Sequence, residues 1–507
     1  MLDLVIVGCG PVGAMAANLA GQAGLSTVVL DRATEVFDLP RAIHFDAHIM
    51  RILQQVGLAR DMLPDVRVWE RSTFYGADAW PIRVHDWPTG KPYGWDAHYL
   101  FYQPTLEAAL RSGLDRLDNV DVRLGVEVRA IEQHADHVTV TTADVRSGAV
   151  RQLSARYLIG ADGAASFVRN STGIRLVDGD FDEPWLVVDI RCEQEIGRPN
   201  ESEMFCDPLR PATRVPGPGN YHRWEFMLLP GETPEDIQRP ESIRALLAPW
   251  VSLDEAEIIR ASVYRFHSLI AQKWRSGRVF LAGDAAHQTP PFLGQGMCHG
   301  MRDVHNLVTK LAAVRAGGPA GQLLESYEAE RRPHVERIIG MAVAAGREIC
   351  LLDPAEARER DRRFRQASVS GDLPKTTFQG MPPLTGGLFD ATPGTGELFL
   401  QPLVFDDRGW SNLFDDAIPA EVVVVALGAA VAEIRATVQE LGIPIVAVDD
   451  PTGDPLIRDE TVREWFDRHG ARFAVVRPDR YVLGTAGSVD KAAALIRTAR
   501  TYFPNAG

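Results

Sequence analysis

The first thirty residues restrict the fold more than any other stretch. "DLVIV" (3–7) has the short apolar run of a buried parallel strand. "GCGPVG" follows, with Gly8, Gly10 and Gly13 in GxGxxG register, then the helical pattern "AMAANLAGQAG" and a second strand, "STVVLD", ending at Asp31. This is a complete βαβ unit. The first glycine permits the tight turn, the second lets backbone approach a pyrophosphate, and the third lets helix and strand pack closely. Pro11 and Val12 make the junction into the helix, whose free N–H groups face the phosphates. Asp31, 18 residues past Gly13, stands where a carboxylate takes ribose hydroxyls. The motif leaves NAD and FAD both open, and a glycine-rich turn without ligand is the competing reading.

The remaining chain, 507 residues in all, is long enough for two or three domains. Its net charge of −15 argues against nucleic-acid or anionic-membrane partners, which call for a basic patch. The run "LVIV" breaks at Gly8, too soon for a signal peptide, and no apolar stretch reaches membrane-spanning length. The five cysteines are scattered without a CxxC pair, so disulfides and a metal site are not expected and a reducing, cytoplasmic setting is.

Two more strands end on carboxylates. "RYLIGADGAASFVRNSTGI" (156–174) runs into Asp162-Gly163, then Ser166 and Arg169; taken alone it is a tight turn with a carboxylate at its tip. "RVFLAGDAAHQTPPFLGQGM" ends on Gly283-Asp284. Pro290 and Pro291 stiffen the loop, and Gly294, Gly296 and Met297 open the helix "MCHGMRDVHNLVTKLAAV". A strand-end carboxylate accepts hydroxyls of a polyol chain, and a bare helix start favours developing negative charge. A flavin offers both, in its ribityl chain and the pyrimidine edge of its reduced ring. Gln103, before Pro104, starts another helix.

In this order the three motifs resemble those of the group A FAD-dependent aromatic hydroxylases, the para-hydroxybenzoate hydroxylase-like flavoprotein monooxygenases. "PRAI" at 40, "CDPLRP" at 206, "RWEFMLLPGET" at 223 and "YEAERRPH" at 327 are similar to the 3-(3-hydroxyphenyl)propionate hydroxylase subfamily. The resemblance implies FAD as cofactor, NADH or NADPH as co-substrate and O₂, with a phenolic ring hydroxylated through a flavin C4a-hydroperoxide. It assigns Gly8, Gly10 and Gly13 to the pyrophosphate, Asp31 and Arg32 to the adenosine, and Arg41 and Gln103 to the phosphate and ribityl region. Asp162 would lie near the cofactor, Asp284 would hold the ribityl chain, Pro291 would lie over the ring, and Gly296 and Met297 would face its pyrimidine edge. Where some relatives read "RAIGID" this chain reads "RAIHFDAH", which puts His44 and His48 near the implied site. His44, His48, Tyr221 and His222 are the candidates for a base, each against a packing role. Arg210, Arg214 and Arg223 are those for a substrate carboxylate, against a solvated surface.

The expected fold is α/β: a Rossmann-like FAD domain (1–75, 99–175 and 268–385), a mostly antiparallel β-sheet substrate domain (76–98 and 176–267), and a thioredoxin-like C-terminal domain (390–507). The last has no cysteine, so thiol redox chemistry is excluded there and a structural or subunit-contact role is expected. A homo-oligomer such as a dimer is left open. The rival functions are a reductase or dehydrogenase of the same fold, a hydroxylase of a bulkier polyketide-like phenol, and a non-catalytic flavoprotein.

Overall fold

The computed structural model describes residues 1–36, 40–194, 196–252, 254–370, 381–406, 408–449 and 456–504; the segment 371–380, inside the expected FAD-domain limits, lies outside them. Leu2–Val7 is an inner strand of an eight-stranded sheet. It pairs in parallel with Val150–Gly160 on one side and Thr27–Asp31 on the other, and Val279–Leu281 and Val120–Leu124 extend the parallel run outward. The central strands are apolar where helices cover the sheet. Val5, Ile6, Val29 and Ile159 are fully buried. Helix Pro11–Gln22 is built mostly of small residues, with proline in its first turn and Gly10 as its N-cap. Those small residues let helix Gly296–Arg315 lie close against it, so that Val12 sits beside Gly283 and Gly300.

A second eight-stranded sheet is mostly antiparallel. Its centre is the long pair Leu176–Cys192 and Ala256–Ala271, and its order continues through Tyr221–Met227, Ala212–Pro216, Glu201–Phe205 and Arg71–Tyr75 to the edge strand Pro81–Asp86. The sheet therefore takes in Arg71–Tyr75, ahead of residue 76. "VPGPGN" is a hairpin turn, closed by Gly217 N–H donating to the Tyr221 carbonyl at 2.8 Å. A third sheet of seven strands, with helices Ala430–Leu441, Glu460–His469 and Val489–Tyr502, forms the C-terminal unit in the thioredoxin-like order expected.

Buried charges join that unit to the rest. Glu330, on helix Ala320–Ile349, accepts from Lys310 Nζ at 2.7 Å, from Arg477 at 3.0 Å and from Asn306 at 2.8 Å, with all three ionic side chains fully buried. Arg51 reaches across to Asp415 and to the Phe399 carbonyl, and Arg480 meets Asp415 at 2.9 Å. Among the described residues no helix is long and apolar enough to cross a membrane.

Candidate active site

The parallel strands deliver Gly8, Asp31, Asp162 and Asp284 to one edge of the first sheet, just beyond the strand ends, where α/β folds bind ligands. The three motif glycines differ in what surrounds them. Side-chain carbons at Gly8 and Gly13 would overlap backbone, the Ala161 carbonyl and the Gly8 carbonyl respectively, whereas one at Gly10 would meet nothing within 4 Å. So two of the glycines serve packing, and the third faces open space at a helix start. Gly296 faces open space in the same way at the start of the second helix. Asp31 is half-exposed and accepts from the Cys9 and Ala33 N–H groups at 2.6 and 2.8 Å; Arg32 beside it is exposed. Arg111 extends toward this loop, donating to the Cys9 carbonyl at 3.2 Å while its buried Nε has no partner.

Asp284 is accessible and makes no hydrogen bond to a described side chain, yet it lies deep enough that burial pushes its carboxyl up, against the pull of His287 and Arg41. Both descriptions hold for a side chain on the wall of an internal cleft. Asp162 is different: it accepts from Ser166 Oγ at 2.5 Å and Val168 N–H at 3.0 Å, while Arg169 ties this turn to the Ala285 carbonyl at 3.1 Å. Gln103 is buried; it accepts from the Arg41 and Ala42 N–H groups at 2.8 and 2.6 Å and donates to Glu107. Its contacts hold the 41–42 loop, and Arg41 is exposed there. Pro291, Gly294, Gly296 and Met297 are all half-exposed around the short turn that leads into the second helix. The open space at Gly10 and Gly296, the unpaired Asp284 and the two helix starts fit a flavin dinucleotide. Pro11 and Val12 open the first of these helices, and Val12 packs against Gly283.

Beside the 291–294 turn lies a partly open pocket. One wall is the antiparallel sheet, where alternation puts Ser72, Phe74, Met204, Arg83, His85 and Trp87 on the cavity face. Phe292 and Leu293 close the end toward the turn, with His44 and His98 beside them. His44 and His98 are neighbours on paired strands, Nε2 of the first 2.8 Å from Nδ1 of the second, and His44 Nδ1 is 3.1 Å from the Gly294 carbonyl. Gly294 has φ +62°, and a side-chain carbon there would run into the His44 ring. Burial lowers both histidines, His98 to about 3, so both are neutral.

The other candidate bases sit elsewhere. His48 faces His305 and Tyr481, and its Nδ1 accepts from Arg302 at 3.1 Å. Tyr221 donates to Asp189 at 2.5 Å, and His222, on the opposite face of the same strand, is lowered to about 4 by burial, Arg214 and Arg67. The three candidate arginines are each committed to a protein carboxylate: Arg210 to Glu232 at 2.6 Å, Arg214 to Glu203 at 2.5 Å and Arg223 to Asp189 at 2.7 Å. Arg223 also donates to the Pro40 and Arg41 carbonyls, binding the second sheet to the flavin-side loop. Sequence reasoning passed over His98, in the apolar strand "HYLF", and Arg83, in "PIRVHDW". The alternation of Arg83, His85 and Trp87 was the available signal.

A parallel sheet ending in this cradle, next to a cavity lined by aromatic side chains, defines a flavoprotein oxidoreductase. Residues 1–342 match the FAD binding domain family and 396–501 the HcaD C-terminal domain. A probable NADH-specific resorcinol 4-hydroxylase of Rhodococcus jostii (strain RHA1) is 35% identical, over 98% of this chain and 94% of that protein. A 3-(3-hydroxy-phenyl)propionate/3-hydroxycinnamic acid hydroxylase of Burkholderia cenocepacia (strain HI2424) is 36% identical, over 95% and 93%. The anhydrotetracycline hydroxylase OxyS from Streptomyces rimosus superimposes with a TM-score of 0.77 at 26% identity, over 99% of each chain. The chain belongs to the FAD-dependent aromatic hydroxylases.

Proposed function

We propose that the protein hydroxylates a phenol next to its hydroxyl group, using NADH and O₂, and that His98 receives the phenolic proton. FAD bound in the cleft would supply the redox chemistry and the transferred oxygen. Gly8, Gly10, Gly13, Asp31, Arg32, Arg41 and Arg111 would hold its adenosine and phosphate portion. Asp284, Gln103, Pro291, Gly296 and Met297 would hold the ribityl chain and ring, with Asp162 bracing the wall between. The names of the two curated relatives support a phenolic substrate and NADH.

The observation that carries the reading is the hydrogen-bond chain from Gly294 to His98. A carbonyl oxygen only accepts, so His44 Nδ1 carries the hydrogen. Neutral His44 then accepts at Nε2, His98 donates from Nδ1, and His98 Nε2 is left as an acceptor in the cavity. A phenol lying against Phe292 and Leu293 donates to that nitrogen. His98 is a weak base, so the phenol keeps its proton while it waits and yields it as oxygen transfer makes the hydroxyl acidic. His44, close to Asp46, then shares the added charge. The aromatic side chains on the walls, Trp69, Phe74, Trp87 and Phe292, would limit the access of water to this step.

The test is oxidation of NADH by the purified yellow protein against a panel of phenols, with ¹⁸O₂ and mass detection of the product. A phenol that accelerates oxidation and gains one labelled oxygen agrees with the reading. Acceleration without label, for every phenol, would mean a dehydrogenase. His98→Asn should lower the rate of product formation by about 10²- to 10⁴-fold while the phenol still binds, and an unchanged rate would remove His98 from this role.

A further inference from the structure

We propose that Arg83 is the binding site for a carboxylate carried by the phenolic substrate on a short chain. The inference rests on the hydroxylase reading above and narrows the substrate from phenols in general to phenolic acids.

Among the described residues Arg83 has no carboxylate partner, whereas most of the buried arginines are paired with one. It lies on the edge strand Pro81–Asp86 and lines the substrate cavity. Its guanidinium rests 4.9 Å from the centre of the Phe74 ring, the residue opposite it on the neighbouring strand. Its Nε is sealed from solvent with no hydrogen-bond partner. The acidic residue of the same strand, Asp86, points to the other face, where it pairs with Arg71 at 2.5 Å. Among the described residues no carboxylate pairs with Arg83, and burial disfavours its charge. A cation held over an aromatic ring, half out of water and short of acceptors, gains most from an anion that enters the cavity with two oxygens to offer.

Its position sets the length of the substrate. Arg83, His85 and Trp87 follow one another along the cavity face, and the Trp87 ring lies 4.0 Å from that of His98. Four residues of strand span about 13 Å. A phenol bonded to His98 therefore needs a chain between its ring and its carboxylate to reach Arg83, which favours a hydroxyphenyl-alkanoate over a hydroxybenzoate.

The test uses the FAD-loaded enzyme, with binding followed by the change in flavin absorbance and turnover by NADH oxidation. The probes are 3-(3-hydroxyphenyl)propionate, its uncharged amide and 3-hydroxybenzoate. Wild type should bind the propionate about 10- to 100-fold more tightly than either other compound. Arg83→Gln should raise the dissociation constant and KM of the propionate by the same factor, with a much smaller effect on kcat, and leave the affinity for the amide unchanged. Arg83→Lys should keep part of the preference, which guards against a folding defect in the glutamine variant. Equal affinity of wild type for acid and amide, or equal losses for both in Arg83→Gln, would overturn the assignment. Binding that depends on Arg83 without labelled product would leave the assignment standing and sink the hydroxylase reading instead.

Discussion

Gly10 and Gly13 lie three residues apart in one motif, yet the structure assigns them different work, and substitution separates the two. Gly10 has φ −74° and ψ −172°, an extended conformation open to any residue, and a side-chain carbon there meets nothing within 4 Å. It is the N-cap of its helix without a side-chain cap bond, so Gly10→Val costs the empty protein at most about 1 kcal/mol. Gly13 has the Gly8 carbonyl where its side chain would be, and backbone cannot step aside, so Gly13→Ala costs about 1–3 kcal/mol or more. FAD binding reverses the order of interest. The space at Gly10 is where a pyrophosphate would come close, and filling it with valine should then weaken FAD at least about 100-fold, or about 2.8 kcal/mol. The assay is urea unfolding of flavin-free protein, alone and with FAD, together with a titration of flavin fluorescence. Gly10→Val should match wild type without flavin and lose the stabilisation of about 2.7 kcal/mol that wild type gains at a hundredfold excess over its dissociation constant. Gly13→Ala should be weakened in both conditions. Normal FAD affinity in Gly10→Val, or destabilisation of its flavin-free form equal to that of Gly13→Ala, would refute the placement of the cofactor.

Asp284→Ala should lower FAD affinity about 10- to 100-fold, because the unpaired carboxylate would lose its bonds to the ribityl hydroxyls; wild-type flavin content in that variant would take the ribityl chain away from this residue. The buried Glu330 cluster should give a slope of stability with acid. Burial would raise Glu330, but Arg477 and Lys310 hold it down at about 2, so its contribution is complete above its usual value near 4.5 and is lost as pH falls toward 2. That shift corresponds to a loss on the order of 3 kcal/mol. Glu330→Gln leaves Lys310 and Arg477 without this partner, at a cost of about 3–5 kcal/mol at pH 7. Unfolding midpoints of wild type and variant should converge as pH falls from about 5 toward 2, and parallel curves would show that the cluster does not carry the acid sensitivity.

What the sequence disclosed about the site follows from distance along the chain. The GxGxxG loop, the Asp-Gly turn and the Gly-Asp strand end were legible because each is a local signal: a strand, a turn and a helix start within about twenty residues. The sheets were legible for the same reason, through runs such as "LVVDIRC" and "YHRWEFMLLP". The cavity was not, because its wall is assembled from Arg71–Tyr75, Pro81–Asp86 and Glu201–Phe205, two of which lie more than a hundred residues from the third. No local pattern distinguishes His44 from His48 on "HFDAH"; the structure does, because a strand directs one to the cavity while the following helix turns the other toward the C-terminal unit. The arginines make the point more sharply. Arg210, Arg214 and Arg223 are the candidates in the sequence for a substrate carboxylate, against a solvated surface, and each is neutralised by a glutamate or aspartate from another strand or loop. A guanidinium marks an anion site through the absence of a protein carboxylate around it, and that absence is a property of the folded surroundings. Arg83 has it on an edge strand, where one flank of the sheet ends and, among the described residues, no further strand arrives to supply the missing charge.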